Sequence, residues 1–279
     1  MEADLSEHGT ATIFVLLIGA AVLAPWIAPH DPAELHLADR LQAPSVTYPF
    51  GTDHLGRCVF SRVLFGARLS LGIAIAVVAT TAGLGTLVGL TAGYVGGFLD
   101  EVVMRGVDSM LAVPSLVLAL VIAGLLGPGI PSIVVALSLA GWMRYTRAVR
   151  GIVRSVKTRA FIDATRVLGA SESYILFRRI LPEVLPTVLV LAALGMASTV
   201  LTIAALSFLG LGLQPPAAEW GSMLQSGHLY LRAAPHLVWF PGLAILFTVG
   251  AFQILAESLR QRLDPRGLTF PEEALAPRG

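Results

Sequence analysis

Long apolar runs separated by polar stretches dominate the chain, and they predict membrane-spanning helices. A helix needs about 20 apolar residues to cross a bilayer core of about 30 Å. On this basis we assign six spans, at residues 11–28, 69–92, 107–126, 132–149, 185–209 and 237–255. The pattern therefore predicts an all-α integral membrane protein with six transmembrane helices.

The polar segments between these spans carry unequal charge. Nine of the nineteen Lys and Arg residues lie between Arg144 and Arg179, and five others lie in segments on the same predicted side, which leaves five on the opposite side. Since loops rich in Lys and Arg remain cytoplasmic, this bias sets the orientation. We expect the N-terminus (residues 1–10), the central loop (150–183) and the tail (258–279) to be cytoplasmic. The loops at 29–68 and 211–236 should be external, and residues 69–257 should form a core of five spans.

Composition supports the membrane assignment. The chain is 55% hydrophobic and only 13% charged, about half the charge of ordinary soluble domains. A single cysteine, Cys58, excludes an internal disulfide framework and a multi-cysteine metal site. The basic residues cluster in one polar stretch and form no stripe interleaved with aromatic residues, so we expect no nucleic-acid partner. No Gly-x-x-x-x-Gly-Lys-Ser/Thr motif is present, so any ATPase must be a separate chain.

The basic central stretch predicts two short helices separated by a break. Gly169 ends the first helix, Ser171 or Ser173 caps the second, and prolines end the stretch at Pro182 and Pro186. An apolar stripe with helical spacing precedes the break, at Val156, Phe161, Ala164 and Leu168. Such an amphipathic pair suits docking into a groove of a partner protein or lying on anionic lipid.

The order of residues in this stretch resembles the Glu-Ala-Ala loop of ABC-importer permeases. Asp163-Ala164-Thr165, Gly169 and Ile180-Leu181-Pro182 follow that pattern, although Asp163 replaces Glu and Thr165 replaces Ala. In that family the loop forms a coupling helix that sits in a cleft of the cytoplasmic ATPase. The resemblance implies an ATPase-coupling role for Arg159, Phe161, Asp163, Ala164, Thr165, Gly169, Ala170, Ile180, Leu181 and Pro182.

Three further segments resemble the second permease subunit of dipeptide, oligopeptide and nickel importers. They are Gly51-Thr52-Asp53-x-x-Gly56-Arg57, the run 207–221 and Leu263-Asp264-Pro265-Arg266. The resemblance implies the type I ABC-importer permease fold in the inner membrane of a bacterium or archaeon. It also implies a homologous permease, two cytoplasmic ATPase subunits that use ATP and Mg²⁺, and an extracytoplasmic binding protein as partners, with no cofactor bound by this chain.

The function expected from this resemblance is peptide import by alternating access, with no covalent chemistry in this chain. A nickel or metal-chelate importer is the alternative within the family. A secondary carrier or channel and a passive scaffold are alternatives outside it. No ionisable residue lies near the middle of a predicted span, which argues against a proton-coupled carrier.

Few residues outside the central loop suggest a site. Hydroxyl residues inside spans are candidates for a translocation path or for bonding to their own helix, at Ser138, Ser198, Thr199 and Thr202. Five histidines in predicted external loops lack metal-site spacing, at His30, His36, His54, His228 and His236. Ser61, Ser70 and Glu219 lack an evident catalytic partner, and we assign no catalytic residue. Gly85, Gly89 and Gly93 form a small-residue ridge that predicts tight helix packing within the chain or a dimer interface.

Overall fold

The computed structural model describes residues 18–263, and within them every long element is a helix. In chain order these are α1 (Ile18–Ile27), α2 (Val59–Val95), α3 (Gly97–Leu111), α4 (Ser115–Leu126), α5 (Ile130–Lys157), α6 (Ala160–Val167), α7 (Glu172–Phe208), α8 (Trp220–Gly227) and α9 (His236–Leu263). No β-strand occurs in this described range, where the only ladder contact is an isolated bridge between Thr52 and Cys58.

Three of these helices, α2, α7 and α9, are long and apolar enough to cross a membrane. The α3–α4 pair satisfies the same criteria together but bends by 87°, which gives a fourth span if the pair counts as one. The structure therefore shows an all-helical, multi-pass architecture. Most of the first predicted span, 11–28, overlaps α1, but its first seven residues lie outside the described range. The predicted N-terminal segment and most of the predicted tail also lie outside it.

The predicted start of the second span, at residue 69, is wrong because α2 already begins at Val59. The charged residue Arg62 suggested a loop there, yet it is only 4% exposed. Its guanidinium donates to the carbonyl oxygen of Pro32 at 2.9 Å and lies 3.7 Å from the Asp53 carboxylate. Because this charge is compensated by residues of the segment that precedes α2, it does not end the helix.

The third predicted span, 107–126, is also wrong, since the chain bends sharply within it. Pro114 has no backbone N–H and disfavours helical geometry at Val113, so α3 ends and α4 begins in a new direction. The acidic residues Asp100 and Asp108 lie on α3.

The central loop is shorter and more helical than predicted. Helix α5 continues to Lys157, and α7 begins at Glu172, thirteen residues before the predicted fifth span. Pro182 and Pro186 do not end a helix. The stretch Ile175–Ile180 is π-helical, and this wider turn relieves the clash between the ring of Pro182 and the carbonyl four residues earlier.

The second external loop, predicted at 211–236, contains α8 and a short 3₁₀ turn (His228–Tyr230), and α9 extends beyond the predicted sixth span to Leu263.

The glycine ridge of α2 packs against α5, which confirms the interpretation of tight packing within the chain. A Cβ atom on Gly85 would lie 2.5 Å from the carbonyl oxygen of Trp142. On Gly89 it would lie 2.7 Å from the carbonyl oxygen of Thr146. The two backbones therefore approach more closely than any side chain at these positions permits.

Candidate coupling surface and transport cavity

The helix–break–helix of the central loop is present as predicted. Helix α6 ends before Gly169, whose φ of +83° is a left-handed conformation that glycine adopts without strain. The Ser171 hydroxyl then accepts a hydrogen bond from the backbone N–H of Tyr174 at 3.3 Å, so Ser171 rather than Ser173 is the N-cap of α7. The turn and the cap together fix the direction in which α6 leaves α7.

One side of α6 is anchored and the other is exposed. Ile162 is fully buried in a cluster with Ile175 and Ile180 of the π-helical stretch. By contrast, Val167 and Leu168 are 87% and 86% exposed. We define the coupling surface as Phe161, Asp163, Ala164, Val167 and Leu168. The predicted apolar stripe is only partly correct, because Val156 belongs to α5 and is buried.

Ion pairs and hydrogen bonds surround the base of α6. Arg159 lies 3.2 Å from Glu183, and Arg166 bridges Asp163 and Glu172, each at 3.3 Å. Hydrogen bonding to Tyr94 and to Glu172 raises the pKa of the Arg166 guanidinium. These contacts hold the end of α6 against the start of α7.

Tyr94, near the end of α2, joins this network from a third helix. Its hydroxyl hydrogen-bonds to the Glu172 carboxylate, and its carbonyl accepts from the Lys157 ammonium. The same ammonium lies 5.1 Å from the Tyr94 ring centroid. These contacts join the end of α2 to the end of α5 and to the start of α7.

The remaining predicted coupling residues lie in the same region. The Thr165 hydroxyl donates to the Phe161 carbonyl at 2.7 Å, and Ala170 is half-buried. Ile180 is fully buried, Leu181 is partly buried against the same cluster, and Pro182 is exposed.

A cavity of about 330 Å³ opens between α2, α5 and α7. Three of the four predicted path residues, Ser198, Thr199 and Thr202, line it. Ser138 is not among the lining residues; its side chain is buried elsewhere in α5, and its hydroxyl has no hydrogen-bond partner among the described residues.

The hydroxyls in the cavity wall also bond to their own helix. Ser198 donates to the Gly195 carbonyl at 3.0 Å, and Thr202 donates to the Ser198 carbonyl at 2.8 Å. The two interpretations of these residues are thus compatible. A hydroxyl that donates to its own helix keeps oxygen lone pairs for a ligand.

Sequence reasoning missed several cavity residues, of which Arg144 is the most informative. We placed it at the cytoplasmic end of a span, but it is the fifteenth residue of the 28-residue helix α5 and lines the cavity. Its guanidinium donates to the Ser115 hydroxyl at 3.1 Å. The available signal was its position as the first cation after the apolar half of α5.

The motif residues in the segments before α2 and at the start of α8 build a buried polar frame. Asp53 accepts from Arg57 at 2.7 Å. Glu219 accepts from the backbone N–H groups of Gly221 and Ser222, each at 2.9 Å, and from the Ser70 hydroxyl at 3.4 Å. Burial raises the pKa of Glu219. The frame caps α8 and ties it to α2, which is a structural role.

The histidines also have structural contacts. His236, which we placed in a predicted loop, begins α9 instead; it is 9% exposed, and its Nε2 lies 3.2 Å from the Thr52 carbonyl oxygen. Between residues 18 and 263, no group of three or more His, Cys, Asp or Glu residues is placed to hold a metal ion.

Apolar spanning helices, a cavity lined by hydroxyls and one cation, and an exposed helix on the basic side define a membrane transport subunit. Residues 85–267 match the family described as "binding-protein-dependent transport system inner membrane component". The chain belongs to this family. Residues 11–44 match the N-terminal transmembrane domain of oligopeptide transport permease C.

Two relatives share nearly the whole chain. The glutathione transport system permease protein GsiD of Escherichia coli O6:K15:H31 is 42% identical over 259 residues, which cover 92% of this chain and 86% of the relative. The nickel transport system permease protein NikC of Escherichia coli K12 is 37% identical over 257 residues, with coverage of 92% and 93%. The resemblance to the peptide and nickel group of ABC-importer permeases is therefore confirmed.

Proposed function

We propose that this chain is the permease subunit that forms half of a translocation path for di- and oligopeptides in an ATP-driven importer. In this proposal it has six spans, both termini are cytoplasmic, and the coupling surface receives the motion of a separate ATPase. Its partners are a homologous permease, two ATPase subunits that use ATP and Mg²⁺, and an extracytoplasmic binding protein.

The exposure of the coupling surface is the observation that carries this proposal. Val167 and Leu168 are large apolar side chains that remain almost fully exposed, while Ile162 anchors the opposite side of the same helix. Covering two such side chains with a partner protein stabilises the complex by roughly 1.5–3 kcal/mol for each. A short helix held at its base and apolar at its tip suits a cleft in the ATPase.

The connection from this surface to the cavity supports alternating access. Helix α7 starts beside α6 and continues without interruption to the cavity wall at Ser198, Thr199 and Thr202. In this mechanism, ATP binding closes the ATPase pair and displaces α6. Helix α7 tilts, and the cavity opens to the opposite side of the membrane.

The lining of the cavity favours a peptide over a bare metal cation. No Asp, Glu or His is among its described lining residues, and Arg144 supplies a positive charge. A divalent cation would meet repulsion there and no carboxylate or imidazole ligand. Nickel import is the second candidate because of the similarity to a nickel permease. It would require an anionic chelate.

The coupling proposal is tested by changing the exposed tip of α6. Leu168→Asp should leave the fold intact, because this side chain is 86% exposed, but should remove the ATPase subunits from the tagged, co-expressed complex. Val46→Asp is the matched control, since Val46 is fully exposed on the opposite, external segment. Retention of both ATPase subunits by Leu168→Asp would show that α6 is not the docking element.

The cargo is tested separately with proteoliposomes of the complete importer. We expect the ATPase rate to rise when the external binding protein is loaded with a peptide. Stimulation by the nickel-loaded protein alone would support the second candidate, and uptake without ATP would contradict the importer assignment altogether.

A further inference from the structure

Arg144 differs from the other arginines of α5 in its partners. Arg147 pairs with Asp108, and Arg150 pairs with Asp100 at 2.6 Å. Arg154 also approaches Asp100, at 3.7 Å. Arg144 has no carboxylate partner among the described residues, and its one hydrogen bond goes to the neutral Ser115 hydroxyl. A guanidinium carries five N–H donors, so most of its capacity remains unused.

The position of Arg144 leaves it open to an anion. Its side chain is exposed and lines the cavity, while much of the wall around it is apolar, with Val77, Val78, Leu137 and Leu194 among its residues. A planar guanidinium also matches the two oxygens of a carboxylate better than an ammonium group does.

The dimensions of the cavity suit a short peptide. Its volume of about 330 Å³ lies at the lower end of the range for small-molecule sites. Its residues on α7 extend from Leu191 to Thr202, a rise of about 16 Å. An extended tripeptide spans about 10 Å, so one carboxylate reaches Arg144 while the rest of the peptide lies along Ser198 and Thr202.

We propose that Arg144 binds a free carboxylate of the cargo as it passes through the cavity, and that the hydroxyls of Ser198 and Thr202 accept hydrogen bonds from its N–H groups. This inference rests on the proposed function and adds the chemical group that this subunit selects. The site discriminates against cargo that lacks an anionic group, independently of the binding protein.

The test uses the complete importer in proteoliposomes, with glutathione and trialanine as carboxylate-bearing probes and Ni²⁺ as a third probe. Arg144→Gln should reduce initial uptake of both peptides at least about tenfold, since a charge-assisted hydrogen bond is lost. Arg144→Lys should recover uptake to within about threefold of wild type, because it retains the charge. Arg147→Gln is the matched control, one turn away and outside the cavity lining, and should stay within about twofold.

Assembly is checked for each variant by co-purification of the ATPase subunits in the wild-type ratio. Wild-type uptake by Arg144→Gln would overturn the carboxylate site alone. Equal losses in Arg144→Gln and Arg144→Lys would also overturn it, because charge would then not be the recognised feature. A wild-type importer that takes up Ni²⁺ but neither peptide would instead contradict the proposed peptide function.

Discussion

Asp100 on α3 accepts two hydrogen bonds from Arg150 on α5, each 2.6 Å long and each to a different carboxylate oxygen. Asp100 is only 6% exposed, and Arg154 approaches the same carboxylate at 3.7 Å. The neighbouring acid, Glu101, has different surroundings, since it pairs with Arg105 in an exposed position. The buried pair fixes α3 against the basic half of α5.

Asp100→Asn should therefore destabilise the protein more than Glu101→Gln does. The first change leaves Arg150 without its charged partner in a partly buried position, at a cost of about 1–3 kcal/mol. The second removes an exposed pair that contributes less than about 1 kcal/mol. Thermal unfolding of the purified complex in detergent measures both. Equal midpoints for the two variants would show that the buried pair does not stabilise the fold.

Gly169→Val should uncouple transport from ATP hydrolysis. The substituted residue would have to hold a φ of +83°, which costs a β-branched side chain more than about 1 kcal/mol, although its Cβ meets nothing within 4 Å. We expect normal insertion but a loss of cargo uptake per ATP. Gly151→Val is the control, because that glycine is helical and equally free of neighbours. Full uptake in Gly169→Val would exclude this turn as a coupling element.

Gly89→Ala should weaken the packing of α2 on α5. The added Cβ would lie 2.7 Å from the Thr146 carbonyl and 2.8 Å from the Val149 Cβ, so the helices must separate, at a cost of about 1–3 kcal/mol. Gly83→Ala, on the same helix, meets open space and should be neutral or slightly stabilising. The difference between their unfolding midpoints measures the close approach. No difference would place the ridge outside the packing interface.

The buried polar frame around Asp53 should lose stability as the pH falls below neutral. Burial lowers the pKa of His54 from its ordinary value of 6.5, although Asp53 opposes this, and its Nδ1 has no hydrogen-bond partner among the described residues. Below about pH 6.5 the His54 imidazole is protonated in the unfolded chain but stays neutral in the folded chain. The free energy of unfolding therefore falls with pH until the pKa of the folded state is reached. The neighbouring cations Arg57, Arg62 and Arg40 act in the same direction as burial.

His54→Gln removes this titration and should flatten the pH dependence of the unfolding midpoint between about pH 8 and about pH 5. A slope that is unchanged in the variant would assign the pH dependence to other groups.

Local sequence patterns predicted the break at Gly169, a cap at Ser171 or Ser173 and the glycine packing ridge, because each depends on residues close in sequence or on one helix face. The start of α2 was mispredicted because Arg62 is compensated by Pro32, thirty residues away, and by residues near 216. The bend before Pro114 and the continuous helix through Pro182 show that a proline's effect depends on the adjacent turn. Arg144 was missed as a cavity residue because its position depends on how three helices pack.

The uninterrupted course of α7 has a mechanical consequence. From Glu172 to Ser198 the helix rises about 39 Å, so a tilt of about 5° about its N-terminal end would displace the cavity wall by roughly 3 Å. The π-helical turn and the two prolines lie at that same end, where a helix bends most readily. A bend at this end would therefore move the wall of the cavity while the remainder of α7 keeps its helical shape.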